Sequence, residues 1–280
     1  MLTIIFGLSA ALSWGSSDFT GGLVSRRAGA IRATLYMEVF GILPLLLLSW
    51  FSDGLRNSTP NDWLWCGLAG VIGSLGQLGL YKALADGKMS IAAPVTALTS
   101  ASVPIIAGGI RDGWPPVLTL AGFAIGLFAT WLLSQSNSGA SMPGIHFSDI
   151  GLPLLAGLGM GFYFILINHG SRTDVFVPLL AVRLGATIAL LTFAFFSQQL
   201  ILPSRSMVPL VITNTVFDIG GGLFYILAGQ VGRMDVAVLL GSLYSGVTVL
   251  LAWLIVGEKI NRKQWLGVIL ILLAILFLAQ

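Results

Sequence analysis

Tyr36-Met37-Glu38-Val39-Phe40 sets a carboxylate inside an apolar run from 31 to 51, and Ala181-Val182-Arg183-Leu184-Gly185 sets a guanidinium inside a second run 145 residues later. A charge within lipid hydrocarbon is costly enough that it persists only when it faces a bundle interior or a water-filled cavity, where it marks a functional site. Opposite charges at matching places in two apolar helices also read as an internal repeat.

The composition around these runs agrees. Of 280 residues, 56% are hydrophobic and 9% charged, whereas soluble domains carry about 25% charged residues. A soluble globule is excluded. Ten apolar stretches, each near the roughly 20 residues that a spanning helix needs, lie at about 2–23, 31–51, 62–85, 89–110, 114–134, 149–168, 176–200, 208–230, 235–256 and 264–280. The short alternating strands of a membrane barrel are missing. The expected fold is therefore an all-α integral membrane protein with ten transmembrane helices. The first stretch lacks a positive start and a small-residue cleavage site, so it is read as a span rather than a removed signal.

Enzyme chemistry finds no foothold. Cys66 is the only cysteine, which excludes an internal disulfide and a thiolate metal cluster, and His146 and His169 have no second ligand at metal spacing. There is no nucleophile elbow or phosphate loop, and hence no expected cofactor. Gly157-Leu158-Gly159-Met160-Gly161 resembles a dinucleotide-binding fragment but lies inside the sixth span with no strand before it, so it reads as helix packing. A net charge of +3 is too small to indicate nucleic acid.

The segment from Ser134 to Ser148 is rich in Ser and Gly and has no Lys or Arg, as a connector would be. It divides a first five-helix repeat, 1–134, from a second, 149–280, with 135–148 between them. The halves align at a nearly constant offset: Gly15 and Arg26 with Gly161 and Arg172, Glu38 with Arg183, Gly76 and Tyr81 with Gly220 and Tyr225, Gly122 with Gly267. Five spans per half force opposite orientations, the inverted-repeat plan of many secondary transporters. Odd-numbered loops carry nine Lys or Arg and even-numbered loops four. By the positive-inside rule, both termini are expected on the external side of the cytoplasmic (inner) membrane.

Helix 3 carries Gly70, Ser74, Gln77 and Tyr81 on one face, and adding 144 gives Asn214, Asp218, Gly221 and Tyr225 on helix 8. Both stripes are expected to line a shared cavity, with close helix packing as the alternative for the small residues. In Trp14-Gly15-Ser16-Ser17-Asp18-Phe19, an aromatic wall stands one turn from a carboxylate, which suits an amine-bearing solute. A carboxylate in low dielectric can carry a proton, so Asp18, Glu38 or Asp218 is a candidate coupling group. Glu38 and Arg183, on inverted helices and about four residues from each centre, come out roughly 12 Å apart along the membrane normal at about 1.5 Å per residue. Separate partners are expected for them, with structural and coupling roles both open. Pro94 and Pro104 in helix 4 and Gly221 in helix 8 are candidate hinges.

The run from Gly222 to Leu278, with Tyr225, Asp235-Val236-Ala237, Val256-Gly257-Glu258-Lys259, Gln264 and Gly267, resembles the carboxy-terminal half of EamA-like transporters of the drug/metabolite transporter superfamily. The helix 1 motif, Pro178 with Arg183, and the stretch Tyr81 to Pro94 extend the likeness over nearly the whole chain. The resemblance implies two inverted five-helix repeats, a central cavity bordered by helices 1, 3, 4, 6, 8 and 9, and alternating access. It also departs: Glu38 stands where members often carry Arg, and Gly113 where the second half has Glu258. The expected function is export of amino acids or related amphipathic solutes. Trp14, Asp18, Gln77, Tyr81, Tyr163, Asp218 and Tyr225 are the expected contacts to a small-molecule substrate, within the lipid bilayer, with proton coupling and a homodimer both left open. The alternative is a membrane scaffold or assembly subunit.

Overall fold

The computed structural model describes residues 1–85, 89–114, 116–133, 147–172, 174–257 and 262–278, and there is no strand among them. The connector 135–148, with His146, and the Glu258-Lys259 pair lie largely or wholly outside the described residues, as do the side chains of Tyr81 and Pro94. The helices are α1 (Leu2–Ala28), α2 (Ala30–Phe51), a short α3 (Gly54–Asn57), α4 (Pro60–Ala85), α5 (Met89–Asp112), α6 (Val117–Leu133), α7 (Phe147–Gly170), α8 (Phe176–Phe196), α9 (Val208–Val231), α10 (Met234–Ser242), α11 (Tyr244–Leu251) and α12 (Arg262–Leu278).

Five helical stretches among the described residues are long and apolar enough to cross a membrane: Ala30–Phe51, Gly151–Gly170, Phe176–Phe196, Val208–Val231 and Met234–Ile255. Their large apolar side chains point outward, as at Leu43, Trp50, Phe51, Leu155, Ile188 and Phe196, while Glu38, Arg183 and Asp235 are buried. That polarity is inverted relative to a water-soluble protein and matches hydrocarbon as the solvent.

Local chemistry explains the helix ends. α1 runs five residues past its expected end because the ladder continues until Gly29, whose φ of 86° and ψ of 154° are open to glycine alone. The ninth span, expected as one helix over 235–256, is instead divided into α10, α11 and a π-helical stretch Ala252–Val256. At the division, Leu243 N–H bonds to Leu240 O at 3.2 Å and Gly246 N–H to Leu243 O at 3.0 Å, tightening the ladder to three-residue steps. Thr248 Oγ1 donates to Gly15 O at 3.2 Å, holding the bend against α1.

α1 packs on α9, α10 and α11; α4 packs on α7 and α8; α5 packs on α7. α2 lies against α8, and α6 against α12. The largest core cluster joins Ala10, Leu45, Ala69, Phe164, Leu180, Tyr225 and Val238, so seven helices converge on one buried centre.

Candidate functional site

Asp18 is the seventeenth of 27 residues in α1 and Asp218 the eleventh of 24 in α9, so both carboxylates stand near mid-helix. α1 and α9 adhere along one face through Ser17, whose hydroxyl donates to Asn214 Oδ1 at 2.7 Å. Asn214 thus serves the helix interface. Asp18 is half-buried, has no hydrogen bond among the described residues, and lies within electrostatic reach of Asp218.

Arg183 joins three helices. Its Nη1 donates to Glu38 Oε2 of α2 at 2.7 Å and its Nη2 to Asp218 Oδ2 of α9. Exposure of the side chains is 8% for Glu38, 5% for Arg183 and 25% for Asp218. The expectation of separate partners for Glu38 and Arg183 is overturned. Glu38 is the ninth of 22 residues in α2 and Arg183 the eighth of 21 in α8, each about three residues from its midpoint rather than four. The axial separation is then about 8 Å at about 1.5 Å per residue, and two extended side chains close it between directly packed helices.

Trp14 is half-buried, its ring centroid 5.8 Å from that of Phe164 and 5.7 Å from that of Tyr225. Phe164 and Tyr225 are 5.1 Å apart, and Tyr163 lies edge-on to Phe164 at 5.3 Å. Phe164 and Tyr225 are each the eighteenth of 24 residues in α7 and α9, so the aromatic layer lies toward the carboxy-terminal ends of both helices. Beyond it that end is tied shut. Gln230 Nε2 donates to Ser171 O at 2.6 Å, and Arg233 Nη2 donates to Gly113 O at 2.9 Å while also pairing with the buried Asp235 at 2.9 Å.

The two polar stripes separate on inspection. Gly70 and Ser74 face α8: a Cβ at Gly70 would run into Val182 O, and Ser74 is buried with its hydroxyl on Val71 O. These residues serve close packing. Gln77 is half-buried and one turn along from Gly73, which accommodates the Tyr163 ring. Tyr225 is fully buried, and its hydroxyl donates to Phe164 O at 3.0 Å. Gly221 leaves room for the Trp14 indole, and α9 is continuous through it, as α5 is through Pro94 and Pro104. The helix interruption lies in the ninth span instead. The sequence reading missed Phe164, Gln230 and Arg233. An aromatic in an apolar helix looks like core, and polar groups at helix ends look like solvated loops; only the adjoining Asp235-Val236-Ala237 motif pointed there.

Outward apolar side chains enclosing partly exposed mid-helix carboxylates define an integral membrane protein with a polar interior site. The chain belongs to the EamA-like transporter family, whose family model matches residues 1–135 and 148–280, and it is a transporter of small solutes. Proteins of Streptococcus pyogenes serotypes M1, M3 and M6, provisionally named sugar uptake proteins, are each 24% identical to it over 275 residues, covering 93% of this chain and 91% of their own. A solved crystal structure of another protein superposes with a TM-score of 0.77 at 14% identity, covering 98% of this chain and 95% of that one, so the fold is shared.

Proposed function

We propose that this chain is a secondary transporter of the inner membrane, built from inverted five-helix repeats 1–134 and 149–280, that carries a small neutral polyhydroxylated solute by alternating access. Asp18, Asp218, Trp14, Gln77 and Tyr163 contact the solute, with Tyr81 added from its register on α4. The observation that carries the reading is the pair of partly exposed carboxylates at mid-helix, bordered by an aromatic layer on one side.

The packing supports the repeat. α1 meets α9 as α4 meets α7, and α10 and α11 meet α1 as α5 meets α7. Gly15 lets α1 approach Tyr244 and Val247, and its counterpart Gly161 lets α7 approach Ser100 and Val103. Glu38 and Arg183, matched at offset 145, touch each other, as residues beside an axis relating the halves would. One family model matching two segments agrees. The tied end is the one that carries both termini, external by the loop charges, so this conformation is closed to the outside in our reading.

Charge supports this solute class. An amino acid presents a carboxylate, but the central guanidinium is already bonded to Glu38 and Asp218. A sugar needs carboxylate acceptors for its hydroxyls and an aromatic face for its ring, and both are at hand. The names of the streptococcal relatives point the same way. A second reading, export of an amine-bearing solute or amino acid, is favoured by the same carboxylates, which would accept an ammonium group.

Purified protein in liposomes, preloaded with unlabelled solute and offered labelled hexoses, amino acids and amines with and without a pH gradient, tests this. Hexose exchange that disappears in Asp218→Asn is expected. Exchange confined to amines or amino acids selects the second reading. No exchange of any solute in the panel overturns both.

A further inference from the structure

We infer that Glu38 is a specificity-determining residue: by holding Arg183 inside the protein it makes the site reject acidic solutes, and Gly41 is the notch that lets it do so. The inference rests on the solute reading above and assigns a role to a residue that touches no solute. Glu38 lies 2.7 Å from Arg183 and is 8% exposed, so water hardly reaches the pair; Asp218, at 25%, is the partner on the open side. Glu38 therefore acts as the fixed counter-ion and Asp218 as the group shared with the cavity.

Gly41 lies one helical turn beyond Glu38 on the same face of α2. A Cβ there would sit 2.9 Å from Arg183 Nε, 3.2 Å from Cδ and 3.4 Å from Cζ, so the guanidinium end of Arg183 packs against bare backbone. This seat turns Nη1 to Glu38 and Nη2 to Asp218 and leaves the charge of Arg183 spent on internal carboxylates. With Asp18 nearby, formal charges of three carboxylates against one guanidinium leave the cluster net negative. A solute carboxylate meets repulsion and a guanidinium already bonded to Glu38 and Asp218. Removing Glu38 releases one face of the guanidinium and reduces the negative excess by one.

The test compares D-glucose with D-glucuronate, which differ by a carboxylate in place of a hydroxymethyl group. Each is titrated into purified wild type, Glu38→Gln, Glu38→Asp and Gly41→Ala while thermal unfolding is followed. Wild type should be stabilised by glucose and not by glucuronate. In Glu38→Gln the affinity for glucuronate relative to wild type should rise about tenfold, the scale of one charge-assisted hydrogen bond. Glu38→Asp keeps the charge and should behave as wild type. Gly41→Ala pushes the guanidinium off its seat and should raise glucuronate affinity with Glu38 still present, so it reads the idea even if Glu38→Gln fails to fold. Unchanged glucuronate affinity in the folded variants overturns this assignment, whatever glucose does. Failure of glucose to stabilise wild type counts instead against the solute class proposed above.

Discussion

Replacing Arg183 by Gln removes the group that neutralises Glu38, and the structure sets the size of the effect. Glu38 has a side chain 8% exposed and would be left as a buried, unpaired carboxylate or be forced to bind a proton. Breaking a buried pair in this way costs about 3–5 kcal/mol. Asp218 also loses its partner, but at 25% exposure water compensates part of that loss, so it adds little. At roughly 2–4 °C per kcal/mol for chains near this size, Arg183→Gln should lower the unfolding midpoint by about 10 °C in detergent. Glu38→Gln alone should cost less, because Arg183 keeps Asp218. The double variant should recover part of the Arg183→Gln loss, because no stranded carboxylate remains in α2. A double-mutant cycle followed by fluorescence-detected thermal unfolding should therefore give a coupling energy of about 2 kcal/mol. Additive effects, or an Arg183→Gln midpoint equal to wild type, would refute the direct bridge and return Glu38 and Arg183 to separate partners.

Other residues give sharp expectations. Tyr225→Phe removes the hydroxyl that donates to Phe164 O, and should cost about 1 kcal/mol of stability while leaving the KM for solute unchanged; a raised KM would show that Tyr225 contacts solute. Gly70→Val drives a side chain into the α8 backbone at Val182, and expression followed by size-exclusion chromatography should show loss of the folded monodisperse species. Ser17→Ala leaves Asn214 Oδ1 without its donor in the α1–α9 interface and should cost about 1–3 kcal/mol in the same unfolding assay. Arg233→Ala cuts the tie to Gly113 O, and in a Cys66→Ser background a cysteine at position 77 should then react faster with a charged thiol reagent added on the side of the termini; an unchanged rate would mean that the aromatic layer seals that end unaided.

What the sequence made legible follows a physical division. Apolar runs of spanning length were plain because lipid imposes one requirement on every residue of a helix, and the charges of Glu38 and Arg183 stood out against them. Their contact was not legible. It depends on where α2 and α8 begin, and an error of one residue at each midpoint moved the inferred gap by several ångströms, enough to separate a bridge from none. The stripes were half legible for a similar reason: periodicity assigns Gly70, Ser74 and Gln77 to one helix face, but an arc of that width touches α8 at one edge and Tyr163 at the other. Only the placement of neighbouring helices distinguishes Gly70, which fits backbone against backbone, from Gln77, which stays half-buried. Division of the ninth span was invisible because no proline marks it, and the contact beside it, from Thr248 to the Gly15 carbonyl, lies across in α1. The features that escaped the sequence are thus contacts between residues 1–134 and 149–280, because periodicity reports the face a residue occupies and not the helix that lies against it.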